Sequence, residues 1–194
     1  HDIFAEVSRY TRNVVARAAG IDFDVIHAHD WMTYPAGVAL SQLTGKPLVV
    51  HVHSLEYDRS GAHVNPRIHD IERLGLYASR AGVAVSHYTK CIITKEHAVP
   101  AEKIHVVHNG IYPSDAISAY RAAHRDWSSK IVLFLGRVTF QKGPDYFVRA
   151  AAKVVPHVPD VMFVVAGSGD MLEQIKRLVE ELGLSAHFFF PGFL

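Results

Sequence analysis

Cysteine is almost missing from this chain. Cys91 stands alone among 194 residues, which excludes an internal disulfide and any cysteine-rich zinc module. Long apolar runs are missing as well, since none reaches the roughly 18 residues that a membrane helix requires. Neither charge is in excess: 20 Lys and Arg face 19 Asp and Glu, so no broad basic face is offered to nucleic acid. The start, His1-Asp2-Ile3-Phe4, is no basic-then-apolar leader. It also lacks Met, as expected of a processed chain or a piece of a longer one. A soluble, reducing, cytoplasmic setting is the expectation. Composition is otherwise ordinary, at 49% hydrophobic and 20% charged, which excludes disorder, collagen and coiled coil and leaves one domain or two small ones.

What is present is an alternation. Short apolar runs at Phe23–Ala28, Leu48–Val52, Gly82–Val85, Ile104–Val107, Ile131–Leu135, Met162–Ala166 and His187–Phe190 are rich in Val, Ile, Leu and Phe. Their continuity predicts strands buried on both faces, as in a parallel sheet covered by helices. Between them, Asp2–Ala19, Arg67–Arg80, Ser86–His97, Pro144–Val155 and Asp170–Leu182 carry helix-like stretches. Strands alternating with helices predict an α/β fold with parallel strands. The polar stretch Pro113–Lys130, with a possible helix at Asp115–His124, reads as a connector. It divides the chain into units of about 1–112 and 131–194. The second unit stops directly after Phe188-Phe189-Phe190-Pro191-Gly192 and is read as truncated.

Ligands of open parallel sheets bind beyond the C-terminal strand ends. That rule selects His27-Ala28-His29-Asp30-Trp31, His51-Val52-His53-Ser54, Ser86, His108-Asn109-Gly110, Gly136-Arg137 and Gly167-Ser168-Gly169. The loop Gly136–Gly143 links a strand to a helix, and Arg137 and Lys142 within it suit a pyrophosphate. It is not a Walker loop. His27/His29 and His51/His53 form two i, i+2 pairs that could bind metal. A neutral, hydrogen-bonded core histidine is the commoner outcome, most of all for His27 and His51, so no metal ligand and no cofactor is assigned. For Asp30 and His53 at their strand ends, exposed hydrogen bonding is expected. Asn109-Gly110 reads equally as a turn and as an amide facing a cleft. Cys91 reads as a buried inert thiol. Glu56 and Asp58 fall in a loop, and Glu173/Arg177 and Lys176/Glu180 read as helix-face ion pairs.

Together these segments resemble a glycosyltransferase of the two-Rossmann-domain (GT-B) type, in the retaining family 4 and glycogen/starch synthase group. The resemblance rests on Asp24–Trp31, the strand ending His51-Val52-His53-Ser54, Val83–Ser86 through Val106–Gly110, Gly136-Arg137-x4-Lys142-Gly143, Ala166–Gly169 and Phe190-Pro191-Gly192. It implies two Rossmann-like units, both incomplete here: residues 1–112 from the acceptor-side domain and 131–194 from the nucleotide-sugar domain. It implies transfer of a sugar, with retention, from a nucleotide-sugar such as UDP- or ADP-glucose to a carbohydrate or other small acceptor. Arg137 and Lys142 match the pair holding the donor diphosphate, and Gly167 would approach the nucleotide by its backbone. His53 matches the histidine at the reaction centre, and Asp30 and Asn109 match residues lining the sugar and acceptor side. The family's first strand with its glycine-rich loop and its acidic Glu-x7-Glu segment are not found, so little turnover is expected of this chain alone. Ser54 stands where synthases carry Asn, which favours the broader family. The alternatives are a nucleotide-sugar epimerase or phosphorylase of the same architecture, a metal-dependent hydrolase built on the His-x-His pairs, and a non-catalytic binding module.

Overall fold

A computed structural model describes residues 2–18, 20–61, 63–110 and 130–193. It divides into two compact units, His1–Ile111 and Tyr112–Leu194. Most of the expected connector, with the helix foreseen at Asp115–His124, lies outside the described residues.

The first unit is a four-stranded parallel sheet in the order β1 (Ile26–His29), β2 (Leu48–Val52), β3 (Ala81–Ala84), β4 (Ile104–Val106). Register runs Ile26 opposite Leu48, Val49 opposite Ala81 and Gly82 opposite Ile104. Its helices are α1 (Ile3–Ala18), α2 (Tyr34–Thr44), α3 (Glu56–Ser60), α4 (Pro66–Ala78) and α5 (His87–Glu96). All seven strands and the five helices foreseen from the sequence are present, with ends shifted by up to three residues. Among the described residues, two α-helices were not foreseen, α2 and α3. Gly37 and three turn-forming residues, Thr33, Pro35 and Gly45, obscure the period of α2, although Pro35 sits harmlessly in the first turn and Gly45 caps the end with φ 70°.

The expectation of strands buried on both faces fails in this unit. Ile26, Ala28, Leu48, Val50, Val52, Ala84 and Ile104 point into one core with Trp31, Tyr34, Leu55, Leu76 and Ile93 from the helices and their connections. The alternate residues His27, His29 and His105 are exposed, and Val49, His51 and Val83 are half-buried. Apolar continuity had hidden a one-sided arrangement, because Val and Ala occupy positions on both faces.

Two glycines make room for close packing in this core, Gly75 on α4 and Gly82 on β3. A Cβ on Gly75 would lie 2.4 Å from the ring of Tyr34, which is fully buried and donates from its hydroxyl to the carbonyl of His51 at 3.2 Å. Burial raises the pKa of that hydroxyl well above its ordinary value. A Cβ on Gly82 would meet Ile104 at 2.7 Å. Gly75→Ala is therefore expected to cost about 2 kcal/mol through overpacking, despite alanine's better helix propensity. Chemical denaturation checks this, and an unchanged midpoint would contradict it.

The second unit is a three-stranded parallel sheet, β5 (Lys130–Leu135), β6 (Val161–Ala166), β7 (Phe188–Gly192), with α6 (Pro144–Val154) and α7 (Leu172–Glu181). Its core joins Val138, Val148, Ala151, Phe163, Val165, Ile175 and Val179. Phe147 meets the Phe163 and Phe188 rings edge-on, at centroid separations of 5.6 and 6.2 Å, which fills the space between α6 and the sheet. On α7 the foreseen pairings are replaced by one bond: Lys176 donates to Glu173 at 2.8 Å, which holds that carboxyl below its ordinary pKa.

Candidate functional site

Asp30 follows β1 directly, and its backbone takes the left-handed conformation, φ 58°, which Asp tolerates better than most residues. Its N–H donates to the carbonyl of His51 at 2.9 Å. The turn places Oδ1 to accept from the backbone N–H of His53 at 2.8 Å and, more weakly, of Ser54 at 3.4 Å. One carboxylate thus ties the end of β1 to the end of β2. The His53 ring is exposed, and its Nε2 lies 2.9 Å from Nδ1 of His29. Asp30 and His53 are therefore brought together, and both are accessible at least in part.

His27 and His51 differ from their expected place in the core. Among the described residues, the helices that pack against the strands do so from the opposite face, and His27 is exposed and His51 half-buried. Neighbouring rings of the four histidines lie 4.3–5.4 Å apart between centroids. Desolvation first, and then mutual repulsion among the imidazolium forms, lowers the pKa of His27 and His51.

Beneath His53 lies a polar network that sequence reasoning missed. Glu72 on α4 brings a carboxyl group into the interior, where it is 1% exposed. Its Oε1 accepts from the backbone N–H of Glu56 at 2.8 Å and from Arg59 at 2.9 Å. Arg59 also donates to Glu56 at 3.2 Å and to the Ser54 hydroxyl at 2.9 Å. The Glu56 carboxylate in turn accepts from Ser60 and from the N–H of Asn65. His97, also 1% exposed, places Nε2 3.4 Å from Oε2 of Glu72. Glu56, foreseen in a loop, instead begins α3 and is buried; Asp58 caps that helix by accepting from the N–H of Leu55 at 2.8 Å. A signal was available: Glu72 shares the core-facing stripe of α4 with Ile68, Ile71 and Leu76, where a carboxylate is costly without partners.

In the second unit, Gly136 follows β5 and Gly167 follows β6, with φ 147° and 146°. The loops touch backbone to backbone. Gly136 donates to Ala166, Val138 to Ser168 and Met171 to Val138, at 3.0, 2.9 and 3.1 Å. A Cβ on Gly167 would sit 1.9 Å from the Gly136 carbonyl oxygen, and one on Gly169 2.2 Å from that of Val138. Only glycine fits these crossings. Arg137 and Lys142 are exposed on this frame. Gly143, left-handed at φ 59°, then starts α6 with Pro144 in its first turn. Loop, helix start and both cations are thus together, and Gly167 supports the loop from behind.

Asn109 is exposed beyond the end of β4, and neither it nor Gly110 has a positive φ. Cys91 is exposed rather than buried, because α5 turns Thr89 and Ile93 inward. Among the described residues, no helix is long and apolar enough to cross a membrane.

Residues 4–115 match the model of Glycosyltransferase Family 4, and residues 119–194 match that of Glycosyl transferases group 1. The chain belongs to glycosyltransferase family 4. It is 34% identical over 188 residues to an uncharacterised glycosyltransferase of Methanocaldococcus jannaschii, covering 90% of this chain and 48% of that protein. It is 33% identical over 178 residues to an alpha-maltose-1-phosphate synthase of Mycolicibacterium smegmatis, covering 81% and 45%. Among solved structures, sucrose-phosphate synthase from Thermosynechococcus elongatus matches all of this chain and 51% of its own, with TM-score 0.76 at 20% identity. That likeness confirms the α/β class with parallel sheets of GT-B type. The chain spans about half the length of the curated relatives it matches.

Proposed function

We propose that this chain contributes to retaining transfer of a hexosyl group from a nucleotide-sugar, UDP- or ADP-glucose, to a carbohydrate or other small acceptor. In this reading residues 1–112 belong to the acceptor-side domain and 131–194 to the donor domain. The observation that carries it is the second unit's loop, where Arg137 and Lys142 flank a glycine-built turn at a helix start. Backbone N–H groups and two cations together favour a diphosphate and oppose the charge that grows on a departing nucleotide. Asp30 fixes the backbone of His53, whose exposed ring is placed to contact the transferring sugar; Asn109 and Gly167 complete the proposed acceptor and donor sets. A metal-dependent hydrolase gains no support from family 4 membership.

The test is calorimetric binding of UDP and ADP to the chain and to its Arg137→Ala and Lys142→Ala variants. Losing a charge-assisted contact costs about 1.5–3 kcal/mol, so affinity should fall roughly ten-fold or more in each. Unchanged affinity in both variants would remove these residues from the donor site.

A further inference from the structure

We propose that His27, His29 and His51 form a binding site for a borderline divalent metal ion such as Zn²⁺, on the face of the first sheet opposite the described helices. The three residues offer ligand nitrogens that all lie within 4.8 Å of one another. The backbone explains the cluster. Residues i and i+2 of β1 share a face, and β1 pairs with β2 so that His29 stands directly opposite His51. Two ligands from one strand and one from its neighbour are therefore held by a hydrogen-bonded ladder rather than by loops. Small rotamer changes suffice to draw nitrogens at this spacing onto one ion with bonds of about 2.0–2.1 Å.

A second observation points to an absent partner. Both ring nitrogens of His51 are shut off from solvent and have no hydrogen-bond partner. A buried imidazole without any partner is costly, and an ion bound at one of its nitrogens would satisfy it. The third is the contact of His29 with His53. With Nδ1 of His29 bonded to His53 at 2.9 Å, Nε2 is left for the ion, and the ring is oriented by a neighbour as metal-bound histidines usually are.

The ligand set decides the chemistry. Three neutral imidazoles without a carboxylate suit Zn²⁺, Co²⁺, Ni²⁺ or Cu²⁺ and disfavour Mg²⁺ and Ca²⁺. Asp30, the nearest carboxylate in sequence, has Oδ1 engaged by two backbone N–H groups. Three protein ligands leave a fourth position open, so the site would accept a water or an anion.

The experiment uses the untagged chain, titrated with Zn²⁺ by calorimetry and with Co²⁺ by its visible absorption, alongside His29→Gln, His51→Gln and, as a control in the other unit, His157→Gln. Circular dichroism establishes that each variant is folded. The proposal expects one saturable equivalent, nitrogen-coordinated Co²⁺ bands, and affinity lowered about ten-fold or more by His29→Gln and by His51→Gln but not by His157→Gln. It expects no competition from excess Mg²⁺. Absence of saturable binding, or equal affinity in the His29 and His51 variants and the parent chain, overturns it. This result is independent of UDP binding at Arg137, so either reading can fail without the other.

Discussion

His53→Ala, in a protein of the relatives' full length that contains this chain, is expected to lower sugar transfer by about 100-fold or more while leaving nucleoside diphosphate affinity nearly unchanged. The split follows from where the residue sits. Its ring is exposed beyond β2, where it bonds to His29 and stacks on His51. Its backbone, in contrast, is held by Asp30 through an N–H bond that alanine would keep. Truncation should therefore remove a contact to the reacting sugar without unfolding the strand end. Arg137 and Lys142, the cations proposed to bind the diphosphate, belong to the other unit, so ground-state nucleotide binding has no reason to change. Steady-state kinetics with UDP- and ADP-glucose, read beside calorimetry, checks the split. Equal losses in transfer and binding would mean that His53 is structural.

Glu72→Ala is expected to carry the largest cost in stability, about 3–5 kcal/mol. The carboxylate is inaccessible and accepts from Arg59 and from the N–H of Glu56. Removing it leaves an arginine with one carboxylate instead of two, and a buried N–H with none. Glu72→Gln should recover part of the loss, since an amide oxygen can still accept from Glu56 while the charge opposite Arg59 disappears. Because Arg59 also donates to the Ser54 hydroxyl, the damage should reach the backbone next to His53. Urea unfolding measures the cost; a loss under about 1 kcal/mol would mean that the network relaxes around the gap.

The sequence revealed the fold well because β2, β5 and β6 are dense Val, Ile, Leu or Phe runs and the amphipathic helices alternate with the strands. It concealed α2, whose apolar residues surround most of the helix instead of forming a stripe, and α3, which is only five residues long. Strand-end logic and the loop Gly136–Gly143 singled out Asp30, His53, Arg137, Lys142 and Gly167 as candidates, and the structure sets Asp30 against His53 and Gly167 against Gly136. The sequence could not tell which face of β1 and β2 the helices cover, and so it put His27 and His51 in the core. Nor could it reveal Glu72 and His97 as buried neighbours, since they are 25 residues apart and meet only when α4 and the end of α5 pack together. Buried charge is legible as an anomaly on an apolar stripe, but its partner is a property of packing.

The central claim is that this chain helps to transfer a sugar from a nucleotide donor with retention. The most direct measurement is proton NMR of the reaction of UDP-glucose or ADP-glucose, in a protein of the relatives' full length containing this chain, with a panel of carbohydrate acceptors. The account predicts release of nucleoside diphosphate in step with a product whose new anomeric proton keeps the donor's α configuration, and loss of both signals in Arg137→Ala. A β-configured product, or α product formed equally well by Arg137→Ala, would contradict it.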